Sequence, residues 1–247
     1  MKRRRPVCGW LGLCLCALAV GRASAQERSA SGRVPLEQLP PAVRDRVRLV
    51  VEHPTLASHG PVEAFACQPS MYYWLLDHPD VTARLWKLLG AKVADLTDLG
   101  GGRYGWSDGQ GSTIHWETVW RTPQQRVWYA EGHVKPGMLL PTATIKAVMV
   151  INCTEGHDKL GRPAIRHQVE LLLRTDSTAL ALAARLVGAS APHMAEQYVG
   201  QIETFFGAMS WYLNEYPSKA RGLFEKAGVT LREEGNPPAE QGMSAPR

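Results

Sequence analysis

STIHWETVWRT, residues Ser112–Thr122, and RVWYAEGHVK, residues Arg126–Lys135, flank the turn Thr122-Pro123-Gln124-Gln125 and decide the fold. Apolar and polar side chains alternate in both runs with a period of two, the period of a strand with one buried face. Ile114, Trp116, Thr118 and Trp120 share one face of the first run, and His115, Glu117, Val119 and Arg121 the other. In the second run Trp128, Ala130, Gly132 and Val134 oppose Tyr129, Glu131 and His133. A connection this short makes the two runs antiparallel neighbours, and the tryptophan face is expected to be the buried one.

The same pattern extends outward. Strand-like runs at Ala91–Thr97, Gly102–Ser107, Thr144–Thr154 and Ala164–Thr175 are joined by Gly100-Gly101-Gly102, Asp108-Gly109-Gln110-Gly111 and the turn residues of Gly156–Pro163. Turns of this kind imply a meander and not a parallel sheet. On the last run Ile165, His167, Val169, Leu171 and Leu173 continue the buried face, with Arg166, Gln168, Glu170 and Arg174 facing out. Before the meander, an extended segment His53–Cys67 leads into two short helices that break at Asp77-His78-Pro79-Asp80, the second capped by Asp80. After it, a helix from Ala191 to Tyr216 carries Met194, Tyr198, Ile202, Phe205, Met209, Tyr212 and Leu213 at three- and four-residue spacing. Gly200 and Gly207 lower its helix propensity and predict close backbone approaches. The fold class is therefore α+β: a seven-stranded curved antiparallel sheet gripping a long C-terminal helix, with a short helix pair after the first strand.

The ends read differently. Lys2, Arg3, Arg4 and Arg5 precede an apolar run Val7–Val20 and the small residues Ala23-Ser24-Ala25, the layout of an export signal at 1–25. Residues 26–52 form a leader and a short N-terminal helix opened by Pro40-Pro41, 53–217 the sheet-and-helix domain, and 218–247 a tail expected to be mostly disordered. The formal charge of +5 changes meaning on cleavage near Ala25. The signal holds five of the 28 basic residues and none of the acidic ones, so the rest carries 23 of each sign. A neutral chain without a basic, aromatic-interleaved stripe excludes nucleic acid as a partner. Three of the five cysteines leave with the signal. Cys67 and Cys153 remain, in an oxidising compartment, on strands not expected to be neighbours.

This order of elements, with the local run Met71-Tyr72-Tyr73-Trp74-Leu75-Leu76-Asp77, resembles the START-like (SRPBCC) helix-grip superfamily over roughly His53 to Tyr216. Its members include lipid-transfer domains, polyketide cyclases and plant carriers of hydrophobic ligands. The resemblance implies a cavity between sheet and helix and binding or transfer of an apolar molecule. It carries over no functional residue. Thr178–Gly188, an added helix before the main one, departs from the pattern.

Two constellations are candidate sites. Trp116, Trp120, Trp128, Phe205, Met209 and Tyr212 form an aromatic set that lines a ligand cavity or simply fills the core. His115, Glu117, Glu131 and His133 share one face of adjacent strands. A register whose paired residue numbers sum to 248 sets Glu117 against Glu131, a like-charge pair that a divalent metal would relieve. A register summing to 246 sets His115 against Glu131, and an exposed ion pair suffices. His167 reads as a hydrogen-bonded core histidine, and no motif calls for a cofactor. The expectation is an exported binding or carrier protein for a hydrophobic small molecule or lipid, with transient membrane contact. The alternatives are a cyclase- or hydrolase-type enzyme on the same scaffold, using His167 or the His/Glu quartet, and a structural or interaction domain whose tryptophans fill the cavity.

Overall fold

The computed structural model describes residues 34–135, 142–175, 190–231 and 237, with 190–198 as helical backbone only. The export signal, most of the leader, the added helix Thr178–Gly188, the side chains of Met194 and Tyr198 and half of the tail lie outside the described residues.

After a 3-10 turn at Leu36–Gln38 the elements run α1 Pro41–Glu52, β1 Leu56–His59, β2 Glu63–Ala66, α2 Pro69–Asp77 and α3 Pro79–Leu88. There follow β3 Leu96–Gly100, β4 Arg103–Ser107, β5 Thr113–Thr122, β6 Gln125–Val134, β7 Ala143–His157, β8 Pro163–Thr175, α4 Ser190–Glu215 and α5 Pro217–Lys226. All strands belong to one antiparallel sheet of order β1-β8-β7-β6-β5-β4-β3, with β2 also on β8. The helix-grip architecture is thus present, with eight strands in place of seven. The first extended segment is two strands because Gly60 and Pro61 interrupt it, and proline donates no ladder hydrogen bond.

Other local expectations shift for identifiable reasons. The strand expected at Ala91–Thr97 lies at Leu96–Gly100, turning through Gly100, Gly101 and Gly102, all at positive φ. His78, not Asp80, occupies the N-cap of α3, because Pro79 takes the first helical position. Asp80 pairs instead with Arg84 one turn on, at 3.2 Å. The tail expected from residue 218 begins with α5, whose Ala220, Leu223 and Phe224 are buried, Phe224 against Trp74. Gly207 does mark a close approach, since a Cβ there would collide with the Phe65 ring; Gly200 faces open space.

Both faces of the sheet are covered. On the inner face, under α2 to α5, Met71, Tyr72, Leu75, Trp128, Ile151, Ile165, Val169, Phe206 and Met209 form the larger core. On the outer face, α1 presses Val47, Val50 and Val51 onto Val127, Tyr129, Val148, Val150 and Leu172. Burial on both faces explains why Leu172, outside the expected inner stripe, is 1% exposed. Glu170, expected to face solvent, is likewise buried on the outer side, with His59 Nδ1 3.6 Å away.

Candidate functional site

The ladder lays the inner face out in rows. Trp128 of β6 opposes Met149 of β7, which opposes Leu171 of β8, which opposes Ser58 of β1. Two residues along, Trp116 of β5 lies between Tyr104 and Ala130 and stacks on the Tyr104 ring at 5.6 Å. At the other end of β8, His167 lies between Cys153 and Glu63. Helix α4 crosses over these rows, and Trp86 of α3 ties it down by donating its indole N–H to the Phe205 carbonyl at 2.9 Å.

Five of the six aromatic-set residues come together here: Trp116, Trp128, Phe205, Met209 and Tyr212. Trp120 does not. A β-bulge between Thr118 and Trp120 inserts one residue, so Trp120 pairs with Val127 and joins the outer core beside Val119. Alternation read from sequence carries no signal for that extra residue. Met209 is fully buried, whereas Trp116, Met149, Leu171, Ile202, Phe205 and Tyr212 stay partly exposed at the core's edge.

The quartet adopts the 246 register: His115 opposes Glu131, Glu117 opposes Tyr129, and His133 opposes Thr113. Glu117 is salt-bridged to Arg46 of α1 at 2.8 Å, Glu131 accepts from the Tyr129 hydroxyl at 2.9 Å, and His133 Nδ1 meets Thr144 Oγ1 at 3.3 Å. Each member of the quartet that carries a partner finds it elsewhere, and among the described residues no group of three His, Cys, Asp or Glu side chains is placed to hold a metal.

The polar chemistry lies elsewhere on the inner face. His167 is 1% exposed; its Nδ1 is hydrogen-bonded to the Tyr72 hydroxyl, and its Nε2 stands 3.9 Å from Glu63 Oε2. Burial alone depresses its pKa to about 4, so the ring is neutral at pH 7. The same burial pushes Tyr72 well above the ordinary phenol range and Cys153, beside it, up to about 12. Glu203 of α4 is fully buried over Gly60, at the break between β1 and β2. Its Oε1 accepts the Val169 N–H at 2.7 Å. Burial, opposed by that hydrogen bond and assisted by the charge of Glu63, raises its pKa to about 7. Cys67, just past the end of β2, and Cys153 of β7 are free thiols, and β8 lies between those two strands.

Glu203 escaped the sequence reading because the helix stripe was drawn through apolar residues. Beside fully buried Met209, α4 carries a buried line Val199, Glu203, Phe206, Ser210 and Leu213, spaced four, three, four and three, and two members of that line are polar. A charged residue at a heptad-like inward position was the available signal.

Three tethers frame the site. Asp77, at the end of α2, takes a two-pronged pair from buried Arg126, at 2.9 and 3.1 Å, and a second arginine, Arg121, at 2.9 Å. Tyr104 donates to the Asp77 carbonyl at 2.6 Å. These bonds fix the helix pair to β4 and to the β5–β6 hairpin.

No family model matches the chain, and no curated protein does. Among solved structures it is similar to a conserved protein from Geobacillus kaustophilus, with 12% identity over 64% of this chain and 97% of that one, at a TM-score of 0.43. It is also similar to the Mll3558 protein from Rhizobium loti, with 16% identity, 61% and 96% covered, TM-score 0.40. A third likeness is to Ara h 8.0201, with 14% identity, 64% and 97% covered, TM-score 0.35. Likeness at this level carries no function, and the helix-grip assignment rests on the strand order and on α4.

Proposed function

We propose that the chain, exported and cleaved near Ala25, binds and carries an apolar small molecule or lipid on the inner face of its sheet. One observation carries the reading. Aromatic and aliphatic side chains that the core leaves partly exposed share this face with buried polar atoms that have no partner among the described residues. The indole N–H groups of Trp116 and Trp128 and the Ser58 hydroxyl are of this kind. Such atoms are uncommon in a packed core, because leaving one unpaired costs about 1–3 kcal/mol. An apolar wall with a few convergent polar groups is the ordinary lining of a small-molecule site.

The magnitudes are sufficient. Burying a dodecyl chain gains about 0.8 kcal/mol per methylene. Against an association cost of roughly 4 kcal/mol at the low end, that leaves affinity on the order of a hundred micromolar. Titration of the full chain with the neutral probe N-phenyl-1-naphthylamine tests the reading. Saturable fluorescence enhancement, weakened in Trp128→Leu, is expected; no enhancement at any protein concentration overturns it.

A further inference from the structure

The polar end of the inner face has one sign of charge. Glu63 stands opposite His167 in the ladder, Glu203 lies over Gly60 three residues before Glu63, and the charge of Glu63 disfavours ionisation of Glu203. Buried Oε2 atoms of both lack a hydrogen-bond partner among the described residues, as does Nε2 of His167, which is nine-tenths buried and directed at Glu63. The inner-face cation nearest in the ladder, Arg126, stands on β6 beyond β7 and is already taken by Asp77. Burying carboxylates without a counter-charge is costly, and an incoming cation offsets that cost whereas an incoming anion adds to it.

We propose that this cluster is a headgroup site for a protonated amine, so that the ligand carried on the inner face is an amine-bearing amphiphile and not a fatty acid. The inference rests on the carrier reading and narrows it. The three unpartnered atoms match the three N–H donors of an ammonium group. His167 takes the accepting role when its Nδ1–H is given to Tyr72, whose own proton then goes to the adjacent Cys153 sulfur; Nε2 is left with its lone pair. The Val169 N–H holds the other oxygen of Glu203, so the carboxylate is positioned before any ligand arrives. The apolar stem of the ligand runs from this end along the row Leu171, Met149 and Trp128.

Competition against N-phenyl-1-naphthylamine on the full chain at pH 7.5 tests this, with dodecylamine, dodecanol and dodecanoate each below its micellar concentration. Dodecylamine is expected to displace the probe at least tenfold more effectively than the other two, and Glu203→Gln to reduce that preference below threefold. Glu63→Gln, at the more exposed position, supplies the same test should Glu203→Gln fail to fold. Equal or better displacement by dodecanoate or dodecanol overturns the amine site while leaving the carrier reading intact, as does a preference that survives both substitutions. Failure of the probe itself to bind removes the carrier reading and the amine site with it.

Discussion

The two faces of the sheet are built on different terms. Under α1, small branched side chains close on one another: Val47, Val50, Val127, Val148 and Val150 are each fully buried. Arg46 seals that rim by lying over the Tyr129 ring, 4.9 Å from its centroid, and pairing with Glu117. Under α4 the wall is aromatic, parts of it remain exposed, and Ser58, Trp116, Trp128, His167 and Glu203 each keep a buried polar atom without a partner among the described residues. The difference teaches where this fold places stability and where it places chemistry. β-branched residues of one size pack densely with little rotamer freedom to lose. Unpaired indole, imidazole and carboxyl groups destabilise the protein for as long as they stay unpaired, and a bound molecule that partnered them would offset that cost.

Damage to the closed regions should therefore cost stability, and damage to the inner wall should cost binding. The largest expected effect is at the tether: Asp77→Ala leaves Arg126 buried without its carboxylate and should lower unfolding free energy by about 3–5 kcal/mol, read by urea denaturation. Next is Leu172→Ala on the outer face, expected to cost about 2–5 kcal/mol while probe affinity stays within twofold. A larger loss of binding than of stability in that variant would break the division between the faces.

The third prediction concerns pH. Glu203 titrates near 7 in the folded chain against an ordinary value of 4.5. Its contribution to stability is therefore fullest below pH 4.5 and declines as the pH rises to 7. His167, depressed from 6.5 to about 4, has the opposite sign: its contribution is present above pH 6.5 and declines as the pH falls to 4. The slopes oppose each other between 4.5 and 6.5. Glu203→Gln removes one of them, so the variant should gain on the parent by about 2–3 kcal/mol between pH 4.5 and 8. Denaturation midpoints that run parallel with pH in the two proteins would show that Glu203 is not the group responsible.

Smaller again is the tenfold loss of probe affinity expected for Trp128→Leu, equivalent to about 1.4 kcal/mol. The smallest is none: Trp120→Leu should leave probe affinity unchanged, because the bulge after Thr118 turns Trp120 to the outer face. That pair of tryptophan variants sharpens the comparison most cheaply, since sequence alternation places both residues on one wall and the ladder places them on two.

What the sequence made legible follows from period. The β5–β6 hairpin, the helix pair broken at Pro79 and the long last helix are all periodic signals, and all are present. What stayed hidden depends on single insertions or on tertiary cover. The bulge at Thr118 has no composition of its own, and the outer burial of Glu170 and Leu172 requires knowing that α1 lies over β7 and β8. The candidate site divided likewise. Trp116 and Trp128 were visible as aromatic members of an alternating face. Glu203 was invisible to a stripe drawn through apolar residues, and the Tyr72–His167 contact joins elements 95 positions apart. The placement of the His/Glu quartet depended on register, and the ladder pairs His115 with Glu131.

The binding reading is tested first by native mass spectrometry of the protein purified from cells without detergent, followed by solvent extraction of whatever it holds. A stoichiometric apolar molecule is expected, lost or greatly reduced in Trp128→Leu. A chain that emerges empty and also takes up no apolar probe would contradict the binding reading and leave the inner face as a packed core.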